Sequence, residues 1–352
     1  MKRTDHVVTF CSRYAERHGA KASSSGGGAP RELKIISRVL LIVSMIACAR
    51  ASAAQETHLL VITGISGDEA LAAQYHQLAT RFIDAAKKKD AVPDANVIYL
   101  AEKTEVDPSR ITGRSTKEGI EKAFADLAAK AHPNDEIFVL LIGHGGFDGR
   151  TATFNMPGPD FSAADFARLL SKFPAERVVF VDTTSSSGAF LSPLAAPGRT
   201  IVTATKTGGE KLDTRFAQFF VDAYEDPAAD RDRNGRISVA EAFEFAKAQV
   251  AAAYQKAGTL QTEHAALDDG SEGKLAATMF LSTGGHVSAN LDMNDPQVRQ
   301  LVKERDALEQ QVAAIKLRKD SMDAADYDAQ LEKLLVALAE KTQALKKLEV
   351  KK

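Results

Sequence analysis

Two uninterrupted apolar runs constrain this chain most: Glu136–Ile142 (EIFVLLI) and Arg177–Val181 (RVVFV), each ending in small and polar residues. A strand with one wet face alternates apolar and polar side chains, whereas a strand apolar throughout must be covered on both faces. His58–Thr63, Ala95–Leu100 and Arg199–Thr205 read as further strands. Between them lie stretches of helical spacing. Glu69–Lys88 carries Leu71, Tyr75, Leu78, Phe82 and Ala85 on one face, and Thr116–Ala131 and Phe161–Lys172 follow the same pattern. Strand–helix alternation predicts an α/β fold, a mainly parallel sheet flanked by helices. In such a sheet the ligand site lies beyond the carboxyl ends of the strands.

The loops at those ends hold the residues with chemistry to offer. The strand at 136–142 runs into Gly143-His144-Gly145-Gly146-Phe147-Asp148-Gly149, and the strand at 177–181 into Asp182-Thr183-Thr184-Ser185-Ser186-Ser187-Gly188. The first strand ends in Gly64-Ile65-Ser66-Gly67. In their order and spacing, over about residues 57–225, these strand ends resemble the legumain-like peptidases of the caspase–hemoglobinase clan. In that clan one apolar strand ends in His-Gly, matched by His144-Gly145. Another ends in a motif of the type Ala-Cys-x-Ser-Gly, matched by Thr184-Ser185-Ser186-Ser187-Gly188. The resemblance implies a caspase/legumain-like sheet and a catalytic position shared by His144 and the residue standing where the family has cysteine. That residue is Ser185, or Thr184 if the alignment shifts by one.

The departure weighs more than the match. The two cysteines, Cys11 and Cys48, both precede residue 50, so the remaining chain has no thiol for a disulfide, a metal site or a nucleophile. A thiol with a pKa of about 8.5 is partly ionised near neutrality, whereas a hydroxyl needs a close base and an oxyanion hole. The cysteine mechanism of the family cannot operate here. The favoured reading is a catalytically degenerate fold used for binding or scaffolding. Three serines in a row single out no nucleophile and serve equally well as partners for backbone groups at a strand-to-helix turn. Nor is there a Gly-x-Ser-x-Gly elbow. The alternative is an active hydrolase using Ser185 or Thr184 with His144 as base. A third reading sets the resemblance aside and keeps only a calcium-binding structural protein.

That calcium reading rests on residues 230–241, Asp-Arg-Asp-Arg-Asn-Gly-Arg-Ile-Ser-Val-Ala-Glu, which match an EF-hand loop at each ligand position. Asp230, Asp232 and Asn234 offer side-chain oxygens, and Gly235 permits the sharp turn. Arg236 offers its carbonyl, Ser238 its hydroxyl or a bound water, and Glu241 a bidentate carboxylate. Thr214–Tyr224 and Val239–Tyr254 read as the flanking helices. The expected cofactor is Ca2+, held at modest affinity, because a single loop lacks its usual pair and Arg231, Arg233 and Arg236 weaken the negative field. Downstream, 262–264 and 267–272 read as a solvated acidic loop, and Lys274–Ser282 as a last strand.

Both ends of the chain differ in character from this body. Residues 1–54 contain a Ser/Gly tract, then Arg31, Lys34 and Arg38, the apolar run Val39–Ala49 and the small-residue site Ala51-Ser52-Ala53. That is the layout of a secretory leader. The apolar run is shorter than the roughly 20 residues a membrane span requires, so a bacterial periplasmic or secreted protein without a stable membrane span is expected. The leader carries nine basic and three acidic groups, leaving the remainder at about −8 where the whole chain is at −2. A nucleic-acid partner is therefore not expected. After Pro296 there is no Gly, Pro or Phe. Leu301, Leu308, Val312, Ile315 and Met322 follow one apolar seam, and Tyr327, Leu331, Leu334, Leu338, Leu345 and Leu348 another. Lys319–Asp326 contains poor helix formers, so a helical hairpin of coiled-coil type is expected, with one continuous helix as the alternative. Its stripe calls for a cover: itself, the main domain, a second copy or a protein partner. The expected layout is a leader over 1–54, an α/β domain over 55–290 containing the calcium loop, and a C-terminal helical coiled-coil segment over 291–352.

Overall fold

The computed structural model describes residues 56–348, apart from 89–91, 134, 176, 234, 272, 282–294, 318, 320 and 321. The leader and both expected boundaries, at 54/55 and 290/291, lie outside the described residues. In chain order the strands are β1 (Thr57–Thr63), β2 (Val97–Ala101), β3 (Gly113–Arg114), β4 (Glu136–Ile142), β5 (Gly145–Phe147), β6 (Ala152–Phe154), β7 (Phe161–Ser162), β8 (Arg177–Asp182), β9 (Arg199–Thr203) and β10 (Ala266–Asp268). Seven of them form one sheet in the order β10-β9-β8-β4-β1-β2-β3, and β5-β6-β7 form a small second sheet. Within the large sheet every pairing is parallel except β9 with β10. The register pairs Thr63 with Ile142 and Leu141 with Asp182, so β1, β4 and β8 end side by side. The mainly parallel, helix-flanked sheet is the α/β fold that the apolar runs require.

All seven residues of β1 and of β4 are buried. Successive side chains point to opposite faces, so each face draws on alternate positions. Leu59, Val61, Phe138, Leu140 and Val181 pack beneath α1 (Glu69–Lys88), and Leu60, Ile62, Val139, Leu141 and Phe180 pack against α2 (Lys117–Lys130) and α3 (Ala163–Leu170). On that second face Phe166 is the hub, with ring centroids 4.7 Å from Phe161 and 5.2 Å from Phe180. The first face is completed by α4 (Phe216–Ala223) and α5 (Val239–Ala257).

Three expectations are corrected. Phe161–Lys172 is not one helix: Phe161 and Ser162 pair with β6, and a capping box between Ser162 and Asp165 starts α3. Lys274–Ser282 is not a strand. The Asp269 carboxylate accepts backbone N–H groups from Ser271, Gly273 and Ala276 at 2.8–2.9 Å and curls the chain into a short helical turn, Ala276–Thr278. Among the described residues of this stretch, Phe280 alone then makes a bridge, to Ser238. The acidic stretch is not solvated either. Glu263 and Asp269 are buried, and Ala266–Asp268 supplies the antiparallel edge strand.

The C-terminal helices α6 (Pro296–Leu317) and α7 (Ala324–Leu348) fold back on one another as a hairpin. Val298 and Val302 meet Leu345, and Lys341 pairs with Glu304 at 2.6 Å. Among the described side chains of α6, Val298, Val302, Arg305, Val312 and Ile315 are buried, and Leu301 packs half-buried against Val298, Val302 and Leu345. Val312, Ile315 and Leu301 of the expected seam thus face inward, and Leu308 is half-buried. Among the described residues no helix is long and apolar enough to cross a membrane.

Candidate functional site

The ends of β4 and β8 create the site. After β4 the chain turns through Gly143 and His144 into β5, and after β8 it turns through Thr183–Ser187. The two turns touch at Gly145. A β-carbon there would lie 2.4 Å from the Ser185 carbonyl oxygen and 2.4 Å from Thr184 Oγ1, so only glycine fits. The second turn closes with Ser186 in the left-handed region at φ 58°, its N–H donating to the Glu210 carbonyl at 2.8 Å. A non-glycine residue is uncommon in that conformation, and neighbours on both sides hold it there.

The hydroxyls of Thr183, Thr184, Ser185 and Ser187 each bond a backbone group, whereas among the described residues the buried Ser186 hydroxyl has no hydrogen-bond partner. Ser185 Oγ donates to the Gly145 carbonyl at 2.9 Å and accepts from the Gly145 N–H at 3.2 Å. Thr184 Oγ1 donates to the Ser185 carbonyl, and the Thr184 N–H donates to Asp182 Oδ1 at 3.0 Å. Burial pushes the Asp182 carboxyl up to about 6, against the lowering effect of its bonds from Thr184. His144 stands at the rim. Its Nδ1 lies 3.2 Å from Asp213 Oδ1, and Tyr75 meets the ring edge-on at 6.0 Å between centroids. Asp213 is 83% exposed, so solvent weakens that pairing. Burial, with Asp213 and Asp68 nearby, raises the Tyr75 phenol above its ordinary range.

His144 and Ser185 both line one cavity of about 370 Å3, walled by Leu71, Tyr75 and Leu78 of α1 and by Gln218 and Phe219 of α4. Among the described residues no hydrogen bond joins His144 to Ser185. The α4 wall is set by a group distant in sequence. Buried Glu263 accepts the Arg215 N–H at 2.7 Å and the Phe216 N–H at 3.1 Å, capping the helix, and the Tyr254 hydroxyl donates to it at 3.3 Å. Burial raises the Glu263 carboxyl above its usual range. Asp213 has no signal in the sequence, and neither has the place of Tyr75 in the cavity wall nor the capping task of Glu263, because nothing local to them distinguishes a cavity wall or a remote cap from an ordinary polar residue.

The 230–241 loop lies apart from this cavity. One oxygen each of Asp230, Asp232 and Glu241 falls within 4.8 Å of the others, while Asn234 lies outside the described residues. Gly235 sits at φ 83°, the turn expected of it, and its N–H donates to Asp230 Oδ2 at 2.8 Å. Glu241 Oε1 accepts the Arg231 N–H at 3.0 Å, and Oε2 accepts the Ser238 hydroxyl at 2.7 Å. Ser238 and Glu241 also form the capping box that starts α5. The Arg236 side chain is buried, with its guanidinium 3.0 Å from Glu309 Oε2 and 3.7 Å from the Phe280 ring centroid. Counting Arg236 among charges that weaken the loop's field overlooked this pairing, which ties it to α6.

The sequence model of the Peptidase C13 family matches residues 51–270, a span that contains all ten strands and both site turns. No curated protein matches the chain significantly. With more than half of its length matched and the parallel sheet in place, the chain belongs to the Peptidase C13 family.

Proposed function

We propose that this protein uses the C13 fold to hold a ligand in the cavity beside His144 without cleaving it, and that a calcium ion braces its 230–241 loop. The arrangement of Ser185 carries the first part. A serine nucleophile has its hydroxyl hydrogen-bonded to a base, whereas Ser185 both donates to and accepts from the backbone of Gly145. With no cysteine beyond residue 48, the family's usual nucleophile has no substitute that is already activated. One observation favours the alternative, an active hydrolase: Asp213 stands beside His144 as an orienting carboxylate would. A fluorophosphonate probe and a mixture of fluorogenic peptides, applied to the wild type, Ser185→Ala and His144→Ala, decide between the two. The expected result is no labelling and no turnover in any of them. Labelling of the wild type that disappears in Ser185→Ala establishes the hydrolase.

For the metal, hard oxygen donors with a glycine turn suit Ca2+. Asp230, Asp232, Asn234, the Arg236 carbonyl, Ser238 and Glu241 would hold it, and the ion would offset the mutual repulsion of the three carboxylates. We expect calcium to raise the melting temperature of the wild type by several degrees over EGTA, and Asp230→Ala to abolish the rise. An unchanged melting temperature combined with no calcium binding by titration sinks this part. Residues 1–54 would direct export to the periplasm or beyond, and N-terminal sequencing of the exported protein should then begin at about Gln55. Self-association or a protein partner is assigned to the outer side of α7, where Leu335 and Val336 are exposed. Mass measurement in solution on the wild type and Leu335→Asp tests the first of these.

A further inference from the structure

We propose that the 230–241 loop and the C-terminal helical hairpin form one calcium-linked unit, with the Arg236 side chain transmitting the state of the loop to α6. The inference rests on the calcium reading above and adds a consequence to it. Arg236 has two ends with two tasks. Its place in the loop makes its carbonyl a ligand position, while its guanidinium pairs with Glu309 of α6 at 3.0 Å and covers the Phe280 ring at 3.7 Å. Phe280 is itself bound to the loop's exit by its bridge to Ser238, and the neighbouring Val239 N–H donates to the Met279 carbonyl at 2.8 Å.

The pairing continues inward. Glu136, buried at the start of β4, has Arg177 Nη2 at 3.6 Å. Burial pushes its carboxyl up to about 7, opposed by the charges of Arg177 and Arg236. On the outer side Arg305 of α6, also buried, lies 3.7 Å from Glu309. Ionisable pairs thus stand on both sides of Arg236, Arg177 with Glu136 at the amino end of the sheet and Arg305 with Glu309 on α6.

Without a cation, the three carboxylates gathered within 4.8 Å repel one another and push the loop open. The backbone of Arg236 cannot follow that opening without drawing its guanidinium away from Glu309 and Phe280. Leaving buried charges half-paired is costly, so the docked hairpin resists the opening. Calcium that closes the loop therefore secures α6, and by reciprocity a docked α6 tightens calcium binding.

Amide hydrogen exchange on the full chain, with calcium or with EGTA, is read beside calcium titrations of the wild type, Glu309→Gln and Glu332→Gln. Glu332 is an exposed control on α7. Calcium is expected to slow exchange in both 230–241 and Pro296–Leu317. Glu309→Gln should weaken calcium binding on the order of fivefold and remove the response of α6, with Glu332→Gln unchanged. If calcium binds and protects the loop while α6 does not respond and Glu309→Gln binds like the wild type, the coupling is wrong and the metal site stands. If the wild type binds no calcium, both fall.

Discussion

Ser185 is the residue on which the functional reading turns, and its surroundings are specific enough to test. Its hydroxyl satisfies both polar groups of the Gly145 peptide in a turn where almost nothing is exposed. Ser185→Ala should leave that N–H and C=O without partners and lower stability by about 1–3 kcal/mol, read from urea unfolding. A role confined to catalysis would leave the unfolding midpoint in place. The candidates His144 and Ser185 were legible because motifs at strand ends are local patterns. Asp213 and Tyr75 were not, since they reach the same cavity from a different loop and from α1. The task of Ser185 was equally hidden: a hydroxyl in sequence looks the same whether its partner is an imidazole or a peptide group 40 residues away.

At the scale of elements, the helix that walls the cavity shows how far periodicity carries. The apolar pattern of Thr214–Tyr224 predicts a helix, and α4 occupies Phe216–Ala223 within it. Its cap is another matter. Arg215 at the N-cap offers no side-chain cap, and Glu263, 48 residues on, takes the Arg215 N–H. Glu263→Ala should therefore cost about 1–3 kcal/mol, through lost capping and the orphaned N–H groups, and should loosen the cavity wall. Unfolding midpoints and the exchange rates of the Arg215 and Phe216 amides check it. The stretch at 274–282 is controlled by a nearer group. Its composition suits a strand, but Asp269 gathers three backbone N–H groups and bends the chain before a strand can form. Strand propensity yields to such local hydrogen bonding because it amounts to little more than a fit to a half-buried surface.

For the whole molecule, Glu136, buried at the start of β4 beside Arg177, gives stability a pH dependence. Its carboxyl titrates at about 7 in the folded chain against an ordinary value of 4.5. The folded state then keeps a proton that the unfolded state has already released. The contribution to stability is complete below about pH 4.5 and is lost as pH rises through about 7, with an amplitude of up to about 3 kcal/mol. Glu136→Gln should flatten the stability profile between those limits, as urea unfolding at a series of pH values would record. The sequence by itself determined the sheet, its burial on both faces, the helical character of the C-terminus and the chemical identity of the candidate groups. These follow from periodicity and composition, which act over a few residues. Only the tertiary structure decided that Ser185 faces Gly145, that Glu263 caps α4 and that Arg236 reaches Glu309. Each is a contact between segments far apart in the chain, and its energy depends on burial and distance, which exist only once the sheet has brought those segments together.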